Sequence, residues 1–293
     1  MTNSSHQIGV KESKKGTLPN LIIIGALKCG TTSLHYYLGL HPEISMSREK
    51  ELYFFVKECN WNKGIDWYRS NFSGESKIHG ESTPIYTAYP VYVGVAERMH
   101  GVVPGTKLIY VVRDPIDRLV SHYVHACEMG REDRGIEGAL SILDGNRYVQ
   151  LSKYYMQIEQ YVPYFPEENM MIITVEDLQK HRLQTLQRVF NFLNVDESFY
   201  SRRFFNVWHM SKYKRRKTPV GLRLETMRAM KTIQLLPYEM RGPVEKLIYL
   251  PLSRKVGRPE VDADLRQRLI DVFQEDVNRL RKYTGRNFET WSV

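Results

Sequence analysis

Residues 21–38, LIIIGALKCGTTSLHYYL, decide the fold. The apolar run 21–24 ends in Gly25, Gly30 follows after four intervening positions, and Thr31 and Thr32 open a pattern with Leu34, Tyr37 and Leu38 at helical spacing, which His41 and Pro42 stop. This predicts strand, glycine loop, helix. The spacing matches the phosphate loop G-x-x-x-x-G-K-[ST] at all but one position: Thr31 stands where the lysine belongs, and a lysine, Lys28, sits inside the loop instead. Such a loop aims backbone N–H groups and the positive end of a helix at one spot, where Thr31, Thr32 and Ser33 add hydroxyls, so an anion is expected there. A plain tight turn between strand and helix would use the same two glycines.

Further along, the pattern repeats. KLIYVVRDP, residues 107–115, predicts a buried strand ending at Arg113 and Asp114, with Pro115 as the first residue of a helix through IDRLVSHYVHACEMG. A third run, MMIITV at 170–175, precedes a helical pattern with Leu183, Leu186, Val189, Phe190 and Leu193 on one face. Strands alternating with helices predict an α/β, P-loop-like three-layer fold with a central, mostly parallel sheet flanked by helices. Residues 48–90 read as aromatic-rich and irregular, followed by a helix ending near His100. Beyond residue 200 the chain turns basic and helical: SKYKRRKTP at 211–219, a helix over 220–235, SRKVGRPEVD at 253–262, and a final amphipathic helix over 262–283.

The chain has 293 residues with 42% apolar and 26% charged side chains, an ordinary globular composition. The economical division is a disordered arm over 1–19 and one domain over 20–293 with a helical C-terminal portion. No apolar run reaches the roughly 18 residues of a membrane span, and the polar start carries no secretory signal. Cys29, Cys59 and Cys127 have neither disulfide-framework nor metal-ligand spacing, so a reducing, cytoplasmic setting is expected, with no metal site. A net charge of +9 implies an anionic partner.

Arg113 at a strand end and Ser121 eight residues later would together clamp a second phosphate, since a guanidinium donates two parallel hydrogen bonds to one phosphate. An Arg113–Asp114 loop ion pair is the plainer reading. Glu51, in REKELYFF, adjoins Leu52, Phe54 and Phe55; desolvation there would raise its pKa and suit it to act as a base, although such a glutamate also fits a helix surface. Two basic clusters, Lys212 to Lys217 (with Arg216) and Arg254, Lys255 and Arg258, would grip phosphate or form a solvated face. His122 and His125, three apart on one helix, lack a third ligand at metal spacing and read as ordinary helix residues.

The blocks LIIIGALKCGTTSLHYYLGLHPEI, KELYFF, GIDWY, GESTPIY, KLIYVVRDPIDRLVSHY, VFNFLNV and GRPEVDADLRQRLIDVF…YTGRNFETW, in this order, resemble the sulfotransferases that use 3′-phosphoadenosine 5′-phosphosulfate, in particular the heparan sulfate 3-O- and N-sulfotransferase branch and its bacterial relatives. The resemblance implies that Lys28 and the N–H groups of Cys29, Gly30, Thr31 and Thr32 hold the 5′-phosphosulfate. It implies that Arg113 and Ser121 hold the 3′-phosphate, and that Glu51 is the catalytic base with Lys28 as its electrophilic partner. SRKVGRP resembles that branch's late donor loop with Val256 inserted, which points to Lys255, Gly257 and Arg258; Arg216 and Lys217 are the alternative for the same task. Three departures are visible: Ser82 replaces an active-site lysine in GESTP, Tyr53 stands where a histidine is common, and the late cysteine pair is missing.

A sulfuryl group carries one negative charge fewer than a phosphoryl group, so its transfer can proceed without the Mg²⁺ that phosphate-loop NTPases need. It needs a cation at the bridging oxygen, which explains a lysine inside the loop and gives 3′-phosphoadenosine 5′-phosphate as product. The expected acceptor is a hydroxyl, with an amine second, on a glycan, glycolipid or small molecule, and Trp61, Trp67, Tyr68, Tyr86 and Tyr89 are stacking candidates. No nucleic-acid partner is expected. Two other classes stay open: a nucleotide kinase or NTPase with Asp114 and Thr31 around Mg²⁺, and a basic polyanion binder resting on the KYKRRK run.

Overall fold

The computed structural model of the chain describes residues 16–206, 215–217, 253–255 and 257–293. Five parallel strands form one sheet: β1 (Leu21–Gly25), β2 (Ile44–Met46), β3 (Ile78–Ser82), β4 (Lys107–Val112) and β5 (Met170–Thr174), in spatial order β2-β3-β1-β4-β5. The helices are α1 (Thr31–Leu38), α2 (Gly64–Arg69), α3 (Val95–Val102), α4 (Pro115–Glu128), α5 (Ile136–Ala139), α6 (Arg147–Gln150), α7 (Tyr154–Ile158), α8 (Val175–Lys180), α9 (Arg182–Phe192) and α10 (Ala263–Thr284). The expected α/β architecture is thus present, and the sheet is parallel throughout.

β1 and β4 are apolar nearly end to end because helices cover both faces of the sheet, so every side chain of β1 is buried. β3 breaks that rule. Its sequence IHGES carries Glu81 and Ser82 fully buried, and the sequence pattern therefore places it in an irregular segment; strand β3 and helix α2 correct that reading. The strand forms because hydroxyls solvate the carboxylate in place of water: Glu81 Oε1 accepts from Tyr68 Oη at 2.5 Å and Tyr86 Oη at 3.1 Å, and Oε2 from Thr83 Oγ1 at 2.8 Å.

The helical pattern after the third apolar run, residues 176–195, is two helices, α8 and α9, broken at His181, and Leu183 is exposed while Leu186, Val189, Phe190 and Leu193 are buried. α10 runs close to its expected limits, capped by the Asp262 carboxylate on Leu265 N–H (2.7 Å) and ended by Gly285 at φ 65°. Its buried stripe of Leu265, Leu269, Phe273, Val277 and Leu280 packs on α7 and α4. Residues 1–15 of the expected arm, the helix expected over 220–235, and residues 211–214, 218–219 and 256 lie outside the described residues; Thr17 N–H donates to the Phe72 carbonyl.

The loops that carry the candidate residues leave the carboxyl ends of β1, β2, β3 and β4. In open parallel sheets that edge is where ligands bind, at the point where strand order reverses on the two sides of one strand, here β1.

Candidate active site

Between β1 and α1 the chain must turn tightly against its neighbours. A Cβ on Gly25 would lie 2.0 Å from Thr87 Oγ1 and 2.8 Å from the Tyr110 ring, so only glycine fits where β1 leaves the sheet. Lys28 (φ 72°) and Gly30 (φ 76°) both take left-handed backbone around Cys29, curling the loop so that the start of α1 faces its mouth. For a lysine that conformation costs about 1 kcal/mol or more. Glu51 (φ 70°) and Tyr53 (φ 52°), in the loop after β2, are held the same way, and with Lys28 they make three of the five non-glycine residues with positive φ among the described residues. Strain of this kind concentrates where surrounding structure imposes a geometry, which sets these two loops apart.

Cys29 sits inside this turn with its own partners. Its N–H donates to Ala26 O at 3.1 Å, and its thiol is buried 3.6 Å from Tyr154 Oη, with burial pushing the pKa up to about 11. The N–H groups left for an anion are those at the start of α1, Gly30, Thr31 and Thr32, which have no partner within the helix.

Glu51 is anchored by its N–H to Ser82 O (3.0 Å), and its side chain is 29% exposed. Burial acts to raise its pKa, as the sequence suggests, but the Lys50 ammonium at 2.9 Å and the Tyr53 hydroxyl donating to Oε2 outweigh it, with a further contribution from His125. The net shift is downward, which corrects the expectation of a raised pKa: Glu51 is ionised and able to accept a proton at neutral pH.

α4 gathers the rest. Asp114 caps it by accepting from Asp117 N–H (2.9 Å), with Pro115 as its first residue. Asp114 does not pair with Arg113. Its Oδ2 accepts from Ser292 N–H (2.5 Å) and Ser292 Oγ (2.7 Å), so the C-terminal tail is fastened to the start of α4. Arg113 Nη2 instead donates to Asp117 Oδ2 at 3.0 Å, and Arg258 donates to the other oxygen of the same carboxylate. Two guanidiniums 145 positions apart thus converge on one anion. Ser121 is buried on α4 (6% exposed), the His122 ring feels the charge of Lys28, and Glu51 feels His125, so residues of one helix act on both loops.

The two basic segments weighed as alternatives are partners. β6 (Arg215–Lys217) pairs antiparallel with β7 (Ser253–Lys255), with Arg216 opposite Arg254 and Lys217 opposite Ser253, and β6 runs beside α4. Lys255, Gly257 and Arg258 continue from this ribbon toward Asp117. Of the stacking candidates, Tyr68 and Tyr86 are buried and bind Glu81, and Trp61 and Trp67 pack on Phe54 with centroids 5.1 and 6.2 Å away; these are core contacts. Asp117 is not among the residues the sequence singles out, although an aspartate four positions after Arg113 on a helix is a visible ion-pair signal; Tyr53 stands out there only as a departure from a common histidine, without its bond to Glu51. No group of three metal-ligating side chains occurs among the described residues, and none of their helices is long and apolar enough to cross a membrane.

Known proteins resemble this chain in sequence and in fold. Human heparan sulfate glucosamine 3-O-sulfotransferase 5 is 33% identical over 191 residues, 61% of this chain and 54% of that protein. The Caenorhabditis elegans bifunctional heparan sulfate N-deacetylase/N-sulfotransferase 1 is 26% identical over 198 residues, 62% of this chain and 23% of that protein. The chain therefore spans about half the length of the first of these curated relatives and less of the second. A crystal structure of a sulfotransferase from Alicyclobacillus acidocaldarius superposes with a TM-score of 0.67 at 24% identity, covering 94% of this chain and 99% of that one, which shows a shared fold. The sulfotransferase domain family model matches residues 18–229, and the chain belongs to that family.

Proposed function

We propose that the protein transfers a sulfuryl group from 3′-phosphoadenosine 5′-phosphosulfate to an acceptor hydroxyl, or secondarily an amine, of a glycan, glycolipid or small molecule. The observation that carries this is the convergence on α4 of Lys28, ionised Glu51 and the Arg113–Arg258 pair. The residues suit the donor: an ammonium and helix-start N–H groups for the 5′ end, and two guanidiniums already meeting on a carboxylate for the 3′-phosphate. The donor supplies an activated sulfur whose bond to the bridging oxygen breaks as the acceptor oxygen bonds to it.

Glu51 removes the acceptor proton, and its lowered pKa keeps it ionised for that purpose. Lys28 faces the electron pair that departs with the bridging oxygen and stabilises the charge gathering there. Gly30, Thr31 and Thr32 hold the anionic oxygens, while Arg113, Ser121 and the 255–258 segment fix the register. No metal is needed in this scheme.

The kinase reading is weaker, because the Asp114 carboxylate that it would place on Mg²⁺ is taken by Asp117 N–H and Ser292. Calorimetry tests the choice. Tight binding of 3′-phosphoadenosine 5′-phosphate in EDTA, with weaker binding of Mg-ATP, is expected; the reverse order overturns the proposal. An acceptor screen with isotopically labelled donor, read by mass spectrometry, then identifies the class of acceptor.

A further inference from the structure

Arg118, in the first turn of α4, is fully buried at 0% exposure. Its Nε donates to Ser152 Oγ at 2.7 Å, and its Nη2 donates to the Tyr148 carbonyl at 2.8 Å and lies 3.3 Å from His122 Nδ1. Nη1 has no hydrogen-bond partner, and Arg118 forms no ion pair among the described residues. The carboxylates near the start of α4 point elsewhere: Asp117 to Arg113 and Arg258, Asp114 to Asp117 N–H and Ser292, and Glu176 by Oε1 to Asp114 N–H at 3.1 Å, its Oε2 having no hydrogen-bond partner and none of the three forming an ion pair with Arg118. Of the ionisable groups that act on it, Tyr154, Cys29 and Tyr110 stay neutral because burial raises their pKa values, His122 is kept neutral by burial, and Arg113 carries the same sign of charge.

A buried charge without a counter-ion is costly, and its field is screened far less than that of an exposed lysine. That field reaches the anion loop, because the Cys29 thiol, between Lys28 and Gly30, feels both Arg118 and Arg113. An ordinary structural arginine would sit against a carboxylate. Among the described residues, this one is anchored only by neutral groups, and its charge acts on a loop suited to anions.

We propose that Arg118 is a positioning charge for the donor: its guanidinium gives the 28–32 loop a fixed positive potential, and the donor's anionic groups compensate a charge that the described residues leave unbalanced. The inference rests on the donor assignment above. It predicts that Arg118 acts through its charge and in proportion to the charge of the ligand.

The test uses the full chain, with 3′-phosphoadenosine 5′-phosphate and adenosine 5′-monophosphate as calorimetric probes and thermal melts with and without the former. R118M removes the charge at similar length, whereas R118K keeps the charge and loses the contacts to Ser152 and Tyr148. R118M is expected to bind the bisphosphate about tenfold more weakly but the monophosphate only about threefold more weakly, with a smaller ligand-induced rise in Tm. R118K is expected to hold bisphosphate affinity within about threefold of wild type even as its own Tm falls. Equal losses for both nucleotides, unchanged binding in R118M, or an R118K that binds as poorly as R118M would each overturn the inference. If R118M does not fold, R118K decides alone: retained affinity supports the charge, and a tenfold loss overturns it. Wild-type protein that binds neither nucleotide overturns the donor assignment and this inference with it, whereas wild-type binding matched by R118M overturns this inference only.

Discussion

Glu51, in the loop after β2, and Glu81, in strand β3, lie on adjoining segments joined where Glu51 N–H meets Ser82 O at 3.0 Å, yet their acidities move in opposite directions. Burial is the largest influence on both. Glu81 accepts three hydrogen bonds, all from neutral hydroxyls, and its pKa still rises to about 7. Glu51 has one hydroxyl and one ammonium, and its pKa falls. Neutral donors satisfy a buried carboxylate geometrically without offsetting the loss of water around its charge; a cation at 2.9 Å does offset it. The two glutamates accordingly divide the labour. Glu81 ties Tyr68, Tyr86 and Thr83 into the floor of the site, and Thr83 Oγ1 in turn meets Tyr53 N–H at 3.5 Å, while Glu51 presents a charged oxygen to the open side.

The strongest way to break this division is to neutralise each carboxylate in turn. Glu51→Gln should lower sulfuryl transfer, measured with labelled donor and an acceptor found by screening, by about 10²- to 10⁴-fold. Glu81→Gln keeps the shape, and its one amide oxygen can still accept from Tyr68 and Tyr86 while the amide NH2 donates to a turned Thr83 hydroxyl, so this variant should retain most of that activity. Equal losses in the two variants would show that Glu51 has no special role. Next in size, Lys28→Met should cost about 10²- to 10³-fold in turnover, with a smaller loss in binding 3′-phosphoadenosine 5′-phosphate, because charge on the bridging oxygen grows only as the reaction proceeds. A variant weakened in binding alone would move Lys28 from the chemistry to the clamp.

The contrast also separates what the sequence made legible from what it hid. The β1 loop and the β4–α4 junction were readable because continuous apolar runs ended in Gly25 and in Asp114-Pro115, each with a single structural meaning. β3 was not, since its hydrophobic signal is replaced by a carboxylate whose hydroxyl partners are contributed from 13, 2 and 5 positions away. The direction of the Glu51 shift is hidden because Leu52, Phe54 and Phe55 signal burial, whereas Lys50 and the Tyr53 hydroxyl set the sign. Arg216 and Lys255 looked like rivals because strand pairing between segments this far apart leaves no local trace, and the Ser292–Asp114 tie is hidden for the same reason.

Stability against pH sharpens the Glu81 side. Its folded pKa of about 7 lies above the ordinary 4.5, so the folded state binds the proton more tightly than the unfolded chain. Its contribution is fully present below about pH 4.5 and is lost as pH rises through about 7, a total of about 3 kcal/mol from a shift of that size. Melting curves of wild type should therefore lose stability over that window relative to Glu81→Gln, which has no proton to release. Parallel curves for the two proteins would mean that the hydroxyl cage stabilises the ionised carboxylate after all.

The finest test acts on the Glu51 side. Burial, then the neighbouring carboxylate, push the Tyr53 phenol upward, so it remains a donor to Glu51 Oε2. Tyr53→Phe removes one of the two side-chain hydrogen bonds holding Glu51 ionised, and the Glu51 pKa should rise. The acid limb of the pH–rate profile, where activity falls as Glu51 takes up a proton, should then move to higher pH. Well above that limb the rate should change by less than about tenfold, because the base is ionised in both proteins. Lys50→Met should move the limb further in the same direction, since the ammonium acts on Glu51 both as a charge and as a donor. A Tyr53→Phe variant with an unmoved limb and a hundredfold lower plateau would give the phenol a direct part in proton transfer, and the contrast between the two glutamates would then rest on Lys50 alone.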